Sequence, residues 1–302
     1  MAKILQILLS SILMTSSAYC AAAITVTDDM GSTVTLNHPA QRVISLAPHV
    51  TELIFAAGGG SKVIGTVTYS DYPEAAKNIP RIGDLRQIDL ERVIALKPDL
   101  LVVWMHGAFN QQLEVLRKSG IPLYFSDPQK LQQIPETLIK LGQMMGTEGI
   151  AQAAANNFNQ QFKQLNLQYQ NKSKVRTFYQ VWGRPLYTLN DKHIVTDAIR
   201  LCGGENIFAQ LTPSAPVVTV EAVLNENPEL IIGTTAMGDS KNDIDQWRRF
   251  SSLLANKNHN LVAIDGDLLN RPGPRILDGA KAICAVLEQA RQHRTTDNNK
   301  GL

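Results

Sequence analysis

The chain has 302 residues and a formal net charge of +2, since 29 Lys and Arg side chains nearly balance 27 Asp and Glu. A composition of 44% hydrophobic and 19% charged residues is typical of a folded soluble chain and excludes intrinsic disorder. The length fits one large domain or two of ordinary size. Because there is no basic excess to hold a polyanion, we do not expect nucleic acid as a partner.

The first residues have the order of a secretory signal peptide. Lys3 supplies positive charge, an apolar run follows over residues 4–14, and Ala21 and Ala23 fit a cleavage site of small residues. The apolar run is shorter than the about 20 residues that a membrane-spanning helix needs. We therefore predict a cleaved signal peptide over residues 1–23 and an exported product; a buried N-terminal helix is the alternative.

Export determines how the cysteines are interpreted. Cleavage would remove Cys20, whose lipidation stays open although the bulky Tyr19 before it argues against it. Cys202 and Cys284 then form an even pair in an oxidising compartment, which predicts a disulfide. Such a bridge would stabilise the fold by roughly 4 to 5 kcal/mol in the chain-entropy model. Two separately buried thiols are the alternative.

The N-terminal half alternates short apolar strands with helical segments. Residues 24–36 have the alternation and central turn of a β-hairpin. The strands predicted after it cover residues 42–46, 63–67, 100–104 and 122–125. Three helices are predicted between them. The first begins at Pro48 and ends at glycines 58–60, and the other two cover residues 89–97 and 110–119. This rhythm is typical of βαβ units with a parallel sheet.

The chain then repeats itself. Residues 89–103 align without gaps on residues 219–233, with glutamate on glutamate and proline on proline. A second similarity in the same order relates residues 50–59 to residues 195–204. Two such matches predict two related lobes.

An amphipathic helix lies between the repeats. Apolar residues of segment 147–173 recur at steps of three and four, and about 27 helical residues would span roughly 40 Å. We predict an N-terminal α/β lobe over residues 24–146, a rigid linking helix over residues 147–173, and a C-terminal α/β lobe over residues 174–293. Residues 294–302 are expected to be a frayed tail.

Catalytic and metal-binding signatures are not found in the sequence. It contains no G-x-S-x-G, P-loop or G-x-G-x-x-G motif, and its six histidines have no ligand spacing for a metal ion. A cleft between two lobes suits ligand capture instead. We therefore expect a binding protein that is not an enzyme and that needs neither a catalytic cofactor nor a metal.

Several motifs resemble the substrate-binding proteins of iron-siderophore, haem and cobalamin ABC importers, most of all the cobalamin-binding members. The resemblance covers about residues 41–290 and is strongest in Ser-Asp-Tyr-Pro at 70–73 and Cys-Gly-Gly-Glu-Asn-Ile-Phe at 202–208. It implies a periplasmic monomer of two related Rossmann-like lobes joined by a long rigid helix, with cobalamin held in the cleft and delivered to the permease subunits of an importer. A haem- or ferric-siderophore-binding protein on the same scaffold is the alternative; a secreted enzyme of this form is a more distant one.

The resemblance also implies site residues. The family's ligand-contacting aromatic residues fall on Tyr69, Trp104 and Tyr187. The acid and arginine of its C-terminal cleft loop fall on Asp267 and Arg271, and we include the residues between them, Leu268, Leu269 and Asn270. The disulfide of the family falls on Cys202 and Cys284.

Purely structural interpretations stay open for these residues. Tyr69 could make a turn hydrogen bond, and Trp104 could pack in the core at a strand end. Asp267 and Arg271 could form a surface ion pair.

Two histidines, His49 and His106, also follow predicted strands. Either could ligate haem iron or face a cobalt ion. The interpretation we favour for both is a solvated loop histidine.

Glu91 and Glu221 occupy equivalent positions in the two repeats, each two residues after a predicted N-cap. Acids near helix N-termini favour the helix dipole by about 0.3 to 1 kcal/mol, which would explain either residue alone. The family's transporter-docking glutamates fall on these two positions. We therefore predict that the two acids dock the two lobes onto a two-fold symmetric membrane partner.

Overall fold

The computed structural model describes residues 23–104, 110–235 and 243–298. Residues 1–22 of the predicted signal peptide and His106 lie outside this range. The predicted hairpin is confirmed, because β1 (Ile24–Thr27) pairs antiparallel with β2 (Thr33–Leu36). Its alternation places one face, with Val26 and Val34, in the core.

The N-terminal lobe is a parallel four-stranded sheet with helices on its connections. Its strands are β3 (Val43–Ser45), β4 (Val63–Thr66), β5 (Leu100–Val103) and β6 (Leu123–Phe125), in the order β4-β3-β5-β6. Its helices are α1 (Pro48–Ala56), α2 (Leu90–Ala95), α3 (Asn110–Lys118) and α4 (Gln133–Met145). The predicted strands and helices of this half are all present, whereas α4 was not predicted.

The linking helix is α5 (Glu148–Tyr169), somewhat shorter than the predicted segment. Its 22 residues span about 33 Å. It packs tightly on α4, since a Cβ placed on Gly142 would lie 2.3 Å from the Cβ of Ala151. The predicted apolar face lies toward the core, with Ala155 and Phe158 buried and Ala154 and Phe162 half-buried.

The C-terminal lobe repeats the arrangement. Its strands are β7 (Val175–Gln180), β10 (Gly204–Asn206), β11 (Leu230–Thr235) and β12 (Leu261–Asp265), with a small antiparallel hairpin of β8 (Trp182–Gly183) and β9 (Leu186–Tyr187). Its helices are α6 (Ile194–Leu201), α7 (Val220–Glu226), α8 (Leu254–Lys257), α9 (Gly266–Leu269) and α10 (Ile276–Asn298). The order β10-β7-β11-β12, again parallel, matches the N-terminal sheet strand for strand. This confirms the predicted fold of two related α/β lobes.

The buried core is continuous between the lobes. Side chains alternate along β5, so Leu100 and Val102 join the central cluster while Leu101 and Val103 join a cluster on the opposite sheet face. The central cluster runs on through α4 and α5 into α6 and α10. Among the described residues, no helix combines the length and apolarity needed to cross a bilayer.

The predicted disulfide is confirmed. Cys202, at the C-terminus of α6, is bonded to Cys284 of α10, and both residues are buried. The bridge closes a sequence separation of 82 residues. α10 continues to Asn298, so the prediction of a frayed tail from residue 294 is wrong for residues 294–298. Arg294 fixes this end of the helix by donating from Nη2 to Glu229 Oε1 at 2.6 Å.

Candidate functional site: the cleft between the lobes

The predicted ligand residues follow the carboxyl ends of parallel strands. Tyr69 follows β4, Trp104 follows β5, and the loop with Asp267 and Arg271 follows β12. Tyr187 lies in the hairpin after β7. Open α/β sheets bind ligands at this edge, where the crossovers diverge.

Tyr69 lies on an exposed turn. Its side chain is 60% exposed and its backbone is left-handed, with φ of 65°. Arg81 holds the turn by donating from Nη2 to the carbonyl oxygen of Ser70 at 2.9 Å. The phenol is thus presented to solvent at the carboxyl end of the N-terminal sheet.

Trp104 is half-buried and fixed at two points. Its indole Nε1 donates to Asp127 Oδ1 at 3.1 Å, and its ring meets the ring of His49 edge-on at 5.5 Å. It packs against the central core while keeping part of its surface exposed. Core packing is thus confirmed for Trp104, and contact of its exposed part with a ligand stays a prediction.

His49 is not the solvated loop histidine that we favoured from the sequence. It is 3% exposed, in the first turn of α1 and behind the ring of Trp104. Burial lowers its pKa to about 3, against the smaller effect of the Asp127 carboxylate, so the imidazole is neutral. Since Nε2 is itself buried, the nitrogen cannot reach a ligand in this conformation.

The loop after β12 distributes its residues between the core and the surface. Asp265 caps α9 by accepting from the Asp267 backbone nitrogen at 2.9 Å. Leu268 is half-buried, and Leu269 is fully buried in the central core. Asn270 is exposed, and its Oδ1 accepts from the hydroxyl of Tyr179 at 2.9 Å. The side chain of Leu269 therefore packs the fold and does not face the cleft.

Arg271 is at the centre of an ion cluster that joins the two lobes. Its guanidinium contacts Asp267 at 3.0 Å within its own lobe, and Asp71 at 2.8 Å and Glu52 at 3.1 Å in the N-terminal lobe. Arg275 adds two contacts to Glu52, from Nε at 2.9 Å and from Nη2 at 2.6 Å. We call these five residues the interlobe ion cluster. The pair Asp267–Arg271 is thus not a surface ion pair, because Arg271 is 6% exposed.

Two acids of the interlobe ion cluster have pKa values shifted in opposite directions. Burial acts to raise the pKa of Asp71, but the hydrogen bond and charge of Arg271 outweigh it and hold the pKa below its usual value. Burial dominates at Asp267 and raises its pKa despite Arg271. Burial acts to lower the pKa of Arg271, but its carboxylate partners outweigh burial and raise the pKa. The hydrogen bond to Glu52 raises the pKa of Arg275. Arg271 therefore outweighs the effect of burial at Asp71 but not at Asp267.

The internal repeat places a second, smaller ion contact between the lobes. Asp197 of α6 is the repeat counterpart of Glu52 of α1. Its carboxylate accepts from the Leu131 backbone nitrogen at 2.9 Å and lies 3.7 Å from Lys130 Nζ, both in the loop after β6. Strand β6 corresponds to β12 in the repeat. In each lobe, an acidic residue of a helix therefore contacts the segment that follows the last strand of the other lobe.

Sequence reasoning missed five residues of this region. Glu52, Asp71 and Arg275 complete the ion contacts, and the repeat match of Glu52 with an acid was the available signal. Arg275 also lies over the ring of Tyr72, 4.0 Å from its centroid. Trp182 is 60% exposed and lies two residues after the end of β7, much as Trp104 lies just after the end of β5.

The predicted docking acids lie at equivalent places of the two lobes. Glu91 and Glu221 are exposed in the first turns of α2 and α7. The expected caps are present: Asp89 accepts from the Arg92 nitrogen at 2.9 Å, and Thr219 accepts from the Ala222 nitrogen at 3.2 Å. Neither glutamate is needed to cap its helix.

Residues 43–268 match the family described as periplasmic binding protein. The chain belongs to the periplasmic binding protein family. Members of this family are substrate-binding proteins, and the matched residues include parts of both lobes.

Individual periplasmic binding proteins are similar over most of this chain. The vitamin B12-binding protein of Vibrio parahaemolyticus is 34% identical, over 85% of this chain and 93% of the relative. The vitamin B12-binding protein of Yersinia pestis is 37% identical, over 81% of this chain and 85% of the relative. The crystal structure of the periplasmic vitamin B12 binding protein BtuF of Vibrio cholerae aligns with a TM-score of 0.76 and 36% identity, covering 84% of this chain and 98% of that one.

Proposed function

We propose that this periplasmic binding protein captures cobalamin and delivers it intact to an ABC importer of the inner membrane. The observation that carries the proposal is the similarity to vitamin B12-binding proteins, 34% and 37% identical over 85% and 81% of the chain. The similarity extends through both lobes and therefore through both walls of the cleft.

The geometry of the cleft supports the same ligand. Tyr69 is exposed, and Trp104 and Tyr187 are half-buried, so each presents ring surface at the edge where the sheets end. Aromatic rings with polar tips suit a large ligand that has apolar faces and polar edges. Asp267, which is half-buried, and Asn270, which is exposed, add polar groups in the loop after β12, at the same end of the C-terminal sheet.

A side-by-side calorimetric titration of the mature protein with cyanocobalamin and haemin tests this proposal. We expect saturable heat with cyanocobalamin at one site per chain, and recovery of the ligand unchanged. Binding of haemin alone, with a shifted Soret band, would replace cobalamin by haem as the ligand. Chemical conversion of bound ligand would mean that the protein is an enzyme.

Delivery would use Glu91 and Glu221 as docking residues, one on each lobe of a single copy. Both acids are exposed, and a groove of about 580 Å³ that includes Gln87 and Gln112 opens beside Glu91. Permease subunits with arginine clusters would form charge-assisted pairs with the two acids.

Replacing both docking glutamates by alanine should reduce uptake in cells and association with the importer, while ligand affinity stays within about twofold. Glu148→Ala is the matched control, because Glu148 is also an exposed acid in the first turn of a helix, α5. If the control reduces uptake as strongly as the double variant, or if the double variant supports full uptake, the docking role is wrong.

Export to the periplasm would begin with removal of residues 1–23. Mass spectrometry of protein recovered from the periplasm should give a chain that starts near Ile24. Recovery of the full chain would contradict cleavage, and a lipid-modified N-terminal cysteine would show processing at Cys20.

A further inference from the structure

The hairpin of β8 and β9 has one buried and one exposed face. Trp182 lies directly opposite Tyr187, and Gly183 lies opposite Leu186. Opposed residues of an antiparallel pair project from the same face, and neighbouring pairs project from opposite faces. Since Leu186 is 6% exposed in the core of the C-terminal lobe, the other face presents Trp182 and Tyr187 outward.

A third residue continues the outward row. Val217 forms an antiparallel bridge with Tyr187, while the next residue, Val218, is buried and donates its backbone N–H to the carbonyl oxygen of Leu186 at 2.9 Å. Trp182, Tyr187 and Val217 thus form one row across three chain segments, which we call the apolar ledge. With about 5 Å between opposed residues, it is about 10 Å long.

The apolar ledge lies at the ligand-binding edge of the C-terminal sheet. It follows the carboxyl end of β7, and β7 is separated from β12 only by β11. Two strand spacings place β7 about 10 Å from β12 and so from the start of the loop that carries Asp267. The ledge therefore extends the edge of the cleft along which the predicted ligand residues lie.

Packing does not account for the exposure of this row. Trp182 is 60% exposed and Val217 is 56% exposed, although the hairpin is already anchored by Leu186 on its other face. Contiguous exposed apolar surface in a soluble protein marks a surface that binds something. Trp182 has large, rigid ring area to offer at low cost in conformational entropy.

We propose that Trp182 and Val217 extend Tyr187 into a platform for the apolar face of the corrin ring. This inference rests on the proposed function. The ledge would contact the ligand from the C-terminal lobe, while Tyr69 and Trp104 contact it from the N-terminal lobe. Trp182 would thereby contribute to the choice of a large, flat ligand over a small polar one.

Calorimetric titration with cyanocobalamin of the wild type and of Trp182→Ala, Trp182→Phe and Val217→Ser tests the platform. We expect Trp182→Ala to weaken affinity about 10-fold, Trp182→Phe to retain most of it, and Val217→Ser to weaken it several-fold. Leu167→Ala is the control, because Leu167 is 61% exposed on α5, outside the cleft. Thermal unfolding should be nearly unchanged in all variants, since none removes a buried group.

The outcomes separate this inference from the proposed function. If the wild type binds cyanocobalamin and Trp182→Ala binds it as tightly as Leu167→Ala does, the platform is wrong while cobalamin binding stands. If Trp182→Ala binds normally but loses uptake, the ledge contacts the importer and the inference is again wrong. If the wild type does not bind cyanocobalamin, the proposed function itself fails.

Discussion

The interlobe ion cluster should hold the two lobes together, and Glu52→Gln is the variant that tests it. Glu52 is 2% exposed and accepts three hydrogen bonds, two from Arg275 and one from Arg271. Glutamine has the same shape, but it removes the charge and turns an N–H₂ group toward guanidinium donors. The variant therefore breaks the contact without opening a cavity.

The magnitude follows from what the substitution leaves behind. Removing one partner of a buried ion pair costs about 3 to 5 kcal/mol. Here the cost is smaller, because Arg271 keeps Asp71 and Asp267, and because Arg275 is 19% exposed. The variant also leaves two acids for two guanidinium groups, so the remaining charges of the cluster balance, which again reduces the cost. We expect a loss of about 2 kcal/mol, which for a chain of this length corresponds to a melting temperature lower by about 3 to 4 °C.

Scanning calorimetry measures the shift, and two further variants calibrate it. Asp245→Asn removes an exposed pair, with side chains 64% and 65% exposed, and should change stability by less than about 0.5 kcal/mol. Asp197→Asn, at the repeat-related contact, should lie between the two, because its side chain is 19% exposed. A melting temperature of Glu52→Gln equal to that of Asp245→Asn would refute a stabilising role of the cluster.

Three further predictions concern the disulfide, His49 and the linking helix. Replacing Cys202 and Cys284 by Ala and Val should lower the free energy of unfolding by about 4 kcal/mol, as expected for a separation of 82 residues. Denaturant titration measures this loss, and a loss below about 1 kcal/mol would contradict the prediction. Burial lowers the pKa of His49 from 6.5 to about 3, so between these pH values the unfolded chain binds a proton that the folded chain does not, and stability falls as pH falls. We expect the free energy of unfolding to fall by about 2 kcal/mol between pH 7 and pH 5. The charge of Asp127 acts against this loss and the charge of Arg271 adds to it. In His49→Gln the free energy of unfolding should depend less steeply on pH, and an unchanged dependence would rule out this histidine as the cause. Because α5 has no proline and its packing against α4 is close, small-angle scattering should show little change in radius of gyration on adding cyanocobalamin, and a large decrease would contradict a rigid connector.

Much of the architecture could be predicted from the sequence because its signals are local. Apolar runs ending at Gly and Pro define the strands, and the match of residues 89–103 with residues 219–233 is enough to indicate two lobes. The identical strand order of the two sheets follows from that repeat. The disulfide between Cys202 and Cys284 could be predicted from export to an oxidising compartment and from the even number of cysteines left after cleavage.

Helix α4 shows where local signals were insufficient. The segment 133–145 begins with Gln133, Ile134 and Pro135 and has no side-chain cap at its N-terminus, so the usual start signal is missing. Its stability comes from packing on α5, where Gly142 allows close approach to Ala151. Such a contact exists only once both helices are placed.

The sequence by itself determined the fold class, the repeat, the family resemblance and which residues follow strand ends. Only the tertiary structure decided that Glu52, Asp71 and Arg271 meet, because Glu52 and Arg271 are separated by 219 positions and belong to different lobes. It likewise decided that His49 is buried behind Trp104, and that Trp182 is left exposed beside Tyr187. Burial and pairing depend on which surfaces the two lobes turn toward each other, and no local pattern of residues carries that information.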